Sequence, residues 1–181
     1  MDIYKILEER RSIRKYEPEP VPIDKLKHIL EAARIAPSWK NLQCWRFIIV
    51  RDHELKKQLA ESMPTTNPAR SAVGKTAPVV IVLCAEPSES GLHDGKDYYM
   101  LDAGLAMQQL MLAAHAEGLG TCWVGLFDEE KVKKVCSIPE DYRVVAMSPL
   151  GYPAVKPSVR PRKELTEIIF AEKWDQQFEL D

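Results

Sequence analysis

The sequence has no excess of either charge, and this restricts its partners. Its formal net charge is −2 and its pI ≈ 6.1, so no basic face is expected to coat nucleic acid, and any anion site must be local. No CxxC spacing links Cys44, Cys84, Cys122 and Cys136, which lie in apolar runs. Neither a zinc site nor a disulfide framework is indicated, and a reducing, cytoplasmic setting is expected. The N-terminus "MDIYKILEERR" lacks an uninterrupted apolar stretch behind a basic start, so no secretory leader is expected. No stretch suits lipid either. The candidate, Tyr98 to Ala116, carries Asp102, Gln108, Gln109 and His115, which a buried protein helix can pair but a lipid-facing one tolerates poorly.

Several catalytic signatures are also missing. Without GxxxxGK[ST], phosphoryl transfer from ATP is not expected. The "GLG" of Gly118 to Gly120 closes a helix instead of opening one, the wrong side for a dinucleotide fingerprint. His28, His53, His93 and His115 are scattered singly, so no metal site is expected. No Ser–His–Asp or Cys–His arrangement can be assembled, and no catalytic side chain is assigned. Neither a repeat nor a low-complexity linker divides the chain.

What is present reads as one α+β domain over residues 1–181, with 45% apolar and 29% charged residues. A short helix follows Asp2. "PVPIDKLKHILEAARIAP" predicts a helix capped near Asp24 and stopped at Pro37, with Ile23, Leu26, Ile29, Leu30 and Ala33 on one face. Cys44 to Val50 reads as a buried strand, followed by a helix from Asp52 with Leu55 and Leu59 inward. "MPTTNPARSAVGK" reads as a loop with little regular structure. "APVVIVLCA" is a second buried strand. The helix Tyr98 to Glu117 is apolar almost all round, which predicts enclosure by its own domain or a partner subunit. "TCWVGLF" gives a third strand, Asp128 caps a further helix, and "YRVVAMSPLGYP" gives a fourth strand.

Three segments carry candidate chemistry. "RRSIRK" packs Arg10, Arg11, Arg14 and Lys15 around Ser12. Cations at a helix C-terminus suit the macrodipole, which accounts for Arg10 and Arg11 but not for Arg14. If the chain turns extended at Ser12, period-2 geometry aims Arg10, Ser12 and Arg14 to one side and Ile13 to the other, with Arg11 facing away. Two guanidinium forks and a hydroxyl then make a receptor for phosphate. "APSWKNLQCW" sets Ser38, Asn41 and Gln43 beside two tryptophans. This is either a capping loop or a receptor for a flat polar heterocycle. In "VRPRKEL", Arg160 and Arg162 repeat the two-residue spacing on a chain held extended by proline. A phosphate-and-heterocycle receptor without an acid–base pair is expected when a cofactor carries the chemistry.

"RRSIRKY", "APSWKNLQCWRFIIV", "GLGTCWVGLF", "LGYP" and "RPRKEL" occur in an order that resembles the nitroreductase family of FMN-dependent oxidoreductases. The resemblance implies a nitroreductase-like fold, a central mostly antiparallel sheet flanked by helices, in an intertwined homodimer with FMN at the interface. It implies NADH or NADPH as co-substrate and ping-pong reduction of nitroaromatics, quinones or another small-molecule electron acceptor. By motif, Arg10, Arg11, Ser12 and Arg14 belong to the FMN-binding set, with Arg10, Ser12 and Arg14 gripping phosphate, ribityl and pyrimidine edge. Pro37, Ser38 and Asn41 would reach the same flavin from the other subunit. The backbone of Gly125 and Leu126 would lie near its N5, and Arg160 and Arg162 would return to the phosphate. Asn67, Arg70 and Lys75 lie where the family often adds another flavin contact. Same-fold alternatives are a dehalogenase or a benzimidazole-forming, flavin-cleaving enzyme. A non-catalytic flavin-binding protein is a further alternative.

Overall fold

The computed structural model describes residues 2–179. The helices are α1 (Ile3–Glu9), α2 (Ile23–Arg34), α3 (His53–Glu61), α4 (Tyr98–Ala116) and α5 (Glu129–Cys136). The strands are β1 (Trp45–Val50), β2 (Val79–Ala85), β3 (Leu92–His93), β4 (Lys96–Asp97), β5 (Gly120–Thr121) and β6 (Arg143–Gly151). The main sheet has the order β1-β2-β6-β5 with every pair antiparallel, while β3 and β4 form a separate small hairpin.

The run of β-branched residues in β2 explains its central place. Its side chains alternate between two cores. Val79, Ile81 and Leu83 pack with Leu26 and Ile29 of α2 and Met107 and Leu110 of α4. Val80, Val82 and Cys84 pack on the opposite face with Leu59 of α3 and Val132 of α5. The sheet is therefore covered by helices on both faces. Leu110 is wholly buried, so Leu110→Ala is expected to cost about 2–5 kcal/mol.

Most predicted elements are present, with informative departures. Asp2, Asp52 and Asp128 each cap the N-terminus of a helix by accepting from a backbone N–H of its first turn. α2 starts at Ile23, whose side chain is exposed, and ends at Arg34, three residues before Pro37. In α3, Leu59 points inward, but Lys56 and not Leu55 is the buried neighbour. Its ammonium donates to the Ala77 carbonyl at 2.8 Å while the stem packs inside. The expected loop before β2 contains a π-helical turn, Ala72–Thr76, with Ala72, Val73 and Gly74 buried. The strand expected over "TCWVGLF" shrinks to Gly120–Thr121 plus one bridge from Val124 to Met147. β1 lies at the edge of the main sheet and is only partly buried along its middle.

α4 is not enclosed by its own chain on every side. Tyr99, Ala103, Ala106, Met107, Leu110 and Ala114 face the core, whereas Leu101 (54% exposed) and Leu105 (38%) form an open apolar stripe. No helix among the described residues is long and apolar enough to cross a membrane.

Candidate functional site

α1 ends at Arg10, where the backbone turns extended (ψ 130°) and Arg10 N–H closes the helix on the Ile6 carbonyl at 3.0 Å. The next residues run beside β5: Ser12 bridges Thr121 in parallel, and Ile13 N–H donates to the Thr121 carbonyl at 2.8 Å. Ile13 turns inward with Tyr16, Ala72 and Ala77. Glycine is required opposite it, because a Cβ on Gly120 would stand 2.5 Å from the Ile13 side chain. Tyr16 clamps the segment, its buried hydroxyl donating to the carbonyls of Ile13 (2.7 Å) and Pro149 (3.2 Å).

With Ile13 inward, Ser12 and Arg14 face the other way, as the alternation predicted. They line a cavity of about 240 Å³ with Arg10, Arg11, Arg160 and Arg162. The two basic combs, from opposite ends of the chain, thus meet. Among the described residues none of these five arginines has a carboxylate partner. The Arg14 Nε is buried without a hydrogen-bond partner. Burial, then the charges of Arg11 and Arg162, lower the pKa of Arg10 from its ordinary value. Below the comb lies Cys122, whose thiol is pushed up by burial while Arg14 and Ser12 pull the other way. Crowded, partly dried cations with an orphaned donor are the physical signature of an anion receptor.

Arg11 differs from its neighbours. Its guanidinium donates to the carbonyls of Glu8 and Arg10, the latter at 2.8 Å, so it satisfies the C-terminal end of α1. It borders the cavity, but its hydrogen bonds follow the helix-end reading.

The loop from Pro37 to Gln43 is held from within. Ser38 Oγ accepts from Gln43 N–H (3.0 Å), and Gln43 Nε2 donates to the Asn41 carbonyl (3.0 Å). Trp39 N–H donates to Asp102 of α4 at 3.0 Å, and the same carboxylate accepts from the Ser90 hydroxyl at 2.7 Å. Lys40, Asn41 and Gln43 all have φ between 47° and 58°, the left-handed region that non-glycine residues seldom occupy. Such strain persists only where the surroundings enforce it. Asp102 is the anchor that sequence reasoning did not single out. Its signal was present: a lone carboxylate in an apolar helix.

The two tryptophans do not serve as free stacking faces. Trp45 is a core residue at 6% exposure, and Trp39 packs on Tyr98 (centroids 4.5 Å apart) and against Gly91, where a Cβ would collide with its ring. Pro37, Ser38 and Asn41 do not line the arginine cavity, so one chain does not bring the two halves of the expected site together. Gly125 and Leu126 lie exposed between β5 and α5, also outside that cavity. Asn67 reaches them, its Nδ2 donating to the Leu126 carbonyl at 3.5 Å. Arg70 and Lys75 line a different groove with Asn67, His53 and Lys57. Nothing in the linear pattern joins these residues, since they meet only where α3 packs on the π-helical turn.

Residues 7–152 match the model of the Nitroreductase family. A protein of Methanothermobacter thermautotrophicus with the provisional name NADH dehydrogenase/NAD(P)H nitroreductase is 35% identical over 178 residues, covering 96% of this chain and 88% of its own. The crystal structure of a nitroreductase family protein from Clostridium novyi NT superposes with a TM-score of 0.82 at 38% identity, covering 98% of both chains. An FMN-dependent nitroreductase from Clostridium difficile R20291 also gives a TM-score of 0.82, at 28% identity, with 94% and 99% covered.

Proposed function

The chain belongs to the nitroreductase family, and on that footing we propose that it is an FMN-dependent NAD(P)H oxidoreductase reducing nitroaromatics, quinones or related small electrophiles. The carrying observation is the arginine cavity: cations from both ends of the chain, the serines Ser12 and Ser158, no carboxylate among the described residues, and a buried unpartnered Arg14 Nε. That donor set fits the phosphate of a flavin mononucleotide. Arg10, Arg160 and Arg162 hold the phosphate, Ser12 the ribityl chain and Arg14 the pyrimidine edge. Arg11 supports them by holding the end of α1.

When bound, FMN supplies the two-electron relay that takes hydride from the nicotinamide and passes reducing equivalents to the acceptor. The chain's contribution is placement and charge. Arg14 fixes a positive charge where electron density gathers, in a setting that needs no reorganisation. The exposed backbone of Gly125 and Leu126 lies along the ring. No side-chain acid is demanded, in agreement with a site built of cations and amides.

A second copy of this chain supplies Pro37, Ser38 and Asn41 to the same flavin and covers the open Leu101 and Leu105 stripe of α4. Two observations support this reading. The loop is pre-shaped by Asp102 yet stands apart from the arginine cavity of its own chain, and the stripe is apolar and unpartnered. The four free cysteines agree with a reducing cytoplasm. The exposed β3–β4 hairpin carries no aromatic residue, which favours small electrophile reduction over dehalogenation or flavin cleavage.

The test is direct. Purified protein should be yellow, with about one FMN per chain released on heating, and should oxidise NAD(P)H in the presence of an acceptor. FAD in its place, or no flavin after reconstitution, overturns the proposal. Bound FMN without steady-state turnover would instead mark a flavin-binding protein.

A further inference from the structure

A second set of cations remains outside the arginine cavity. α3 is pressed against the π-helical turn, since a Cβ on Gly74 would lie 2.7 Å from the Ala60 Cβ. Beside that contact runs a groove of about 800 Å³, with His53 and Lys57 on the α3 wall and Arg70 and Lys75 on the other. Glu61 is the one carboxylate on its lining. Arg70 and Lys75 have no ion-pair partner among the described residues. Lys57 has only an exposed 3.8 Å approach to Glu54, a carboxylate shared with His53 and weak in water.

Position adds to charge. Asn67 lines the groove and also holds the Leu126 carbonyl, so the groove begins beside the backbone assigned to the flavin ring. His53 and Glu61, at opposite ends of α3, both line it, which gives a length of roughly 12 Å at the helical rise. An extended ligand lying there meets more than one positive charge. The π-helical turn carries Lys75, with Arg70 two residues ahead of its start, and such turns recur at functional sites.

Building on the proposed activity, we infer that this groove takes the phosphates of the dinucleotide reductant and selects NADPH over NADH. Arg70, beside Asn67, meets the pyrophosphate with its planar fork, and Lys57 and Lys75 meet the 2′-phosphate as point charges from opposite walls. The two reductants differ only in that phosphate. A site for NADH would offer a carboxylate to the ribose 2′-hydroxyl, whereas this lining is predominantly cationic.

The experiment compares kcat/KM for NADPH and NADH on flavin-loaded protein, wild type against Lys57→Glu/Lys75→Glu. The wild type should prefer NADPH about tenfold or more, with a steeper loss of NADPH turnover as salt rises. In the variant the preference should vanish through the KM for NADPH. Calorimetry supplies a readout without turnover: adenosine 2′,5′-bisphosphate should bind the wild type more tightly than AMP does, and the variant should lose that difference. Equal use of both reductants by the wild type, or an unchanged preference in the variant, overturns the inference. If flavin-loaded protein oxidises neither reductant, the activity proposed above falls, while the calorimetry still decides the groove. Should the double variant fail to fold, judged by thermal melting and FMN content, Lys57→Gln and Lys75→Gln are tested singly for the same loss.

Discussion

Residues 10–14 and residues 37–43 both place polar groups beside an extended segment, yet the fold treats the two stretches in opposite ways. Apart from Arg11, which closes the end of α1, the first leaves its side-chain donors unspent: the arginines have no carboxylates among the described residues, and the Arg14 Nε is buried alone. The second uses its donors at home, Ser38 on Gln43, Gln43 on Asn41, and Trp39 on Asp102. An anion receptor holds charge in reserve, and its affinity comes from the side chains themselves. A loop whose hydrogen bonds are internal contributes by shape, so its value lies in being held in a strained outline with three left-handed residues.

The sharpest way to break this contrast is Arg14→Glu. A carboxylate in place of the partly buried guanidinium should cost about 3–5 kcal/mol of flavin binding, enough for the protein to be purified colourless. Absorbance at the flavin band and fluorimetric titration of the apoprotein measure it. Retention of FMN would show that the comb is only a helix end.

A mixing experiment tests whether the two stretches serve one site from different chains. Arg14→Glu and Ser38→Trp homodimers should each lose their flavin sites. Co-expressed, a heterodimer gathers both lesions in one site and restores the other, so roughly a quarter of wild-type sites should recover with free exchange. Differentially tagged heterodimers that hold no FMN, while each homodimer melts normally, would place Arg14 and Ser38 in one site of one chain.

Asp102→Ala should act on the loop and on stability. It orphans the Trp39 N–H and the Ser90 hydroxyl beneath the loop, for an expected loss of about 2–3 kcal/mol and a Tm lower by roughly 4–10 °C. FMN affinity should fall less than in Arg14→Glu. An equal fall would erase the distinction between held charge and held shape. A smaller effect is expected from Arg11→Ala, about 1 kcal/mol of stability through the α1 carbonyls and a change of threefold or less in FMN affinity. Losses as large as those at Arg14 would mean that Arg11 belongs among the phosphate ligands.

The weakest effect should come from the thiols. Burial, aided by the Asp102 carboxylate, pushes Cys44 up to about 11, and burial beside Cys136 pushes Cys84 up to about 12. Both should resist alkylation in the native protein at pH 8 and react only on unfolding. Ready labelling of either with retained flavin would show that the core beside the loop opens.

The elements that were legible in the sequence are those whose signal is local. β2 announces itself by seven apolar residues, five of them Val, Ile or Leu, and the alternation of Ser12, Ile13 and Arg14 gave the comb its direction. α4 showed its apolar character, but which side its own chain covers depends on α2 and the sheet. The tryptophans misled because composition cannot tell a stacking face from a core residue. Trp45 fills the core, and Trp39 is taken by Tyr98 and Gly91. Lys56 replaced Leu55 as the inward residue because the Ala77 carbonyl, distant in sequence, receives its ammonium. The π-helical turn and the cations around it were illegible for a related reason: an i→i+5 bond pattern leaves no familiar period, and the groove needs two elements packed together.

The arginine cavity also changes what a bound anion does to the chain as an object. Its ligands lie near both ends, roughly 150 residues apart, so an occupant acts as a reversible clasp on a very long loop. Up to Ala154 the tail is already tied back, with Glu17 N–H on the Tyr152 carbonyl (2.9 Å) and Ala154 N–H on the Lys15 carbonyl (3.1 Å). Past that point, residues 156–164 have no regular structure and are nearly all exposed. Prolines already shield the bonds after Lys156 and Arg160 from trypsin, leaving those after Arg162 and Lys163 as the vulnerable links. Occupancy of the cavity therefore sets how long the tail survives: a chain emptied of its anion would be trimmed there first, by a cut that falls just past Arg162 and leaves both arginines on a free chain end.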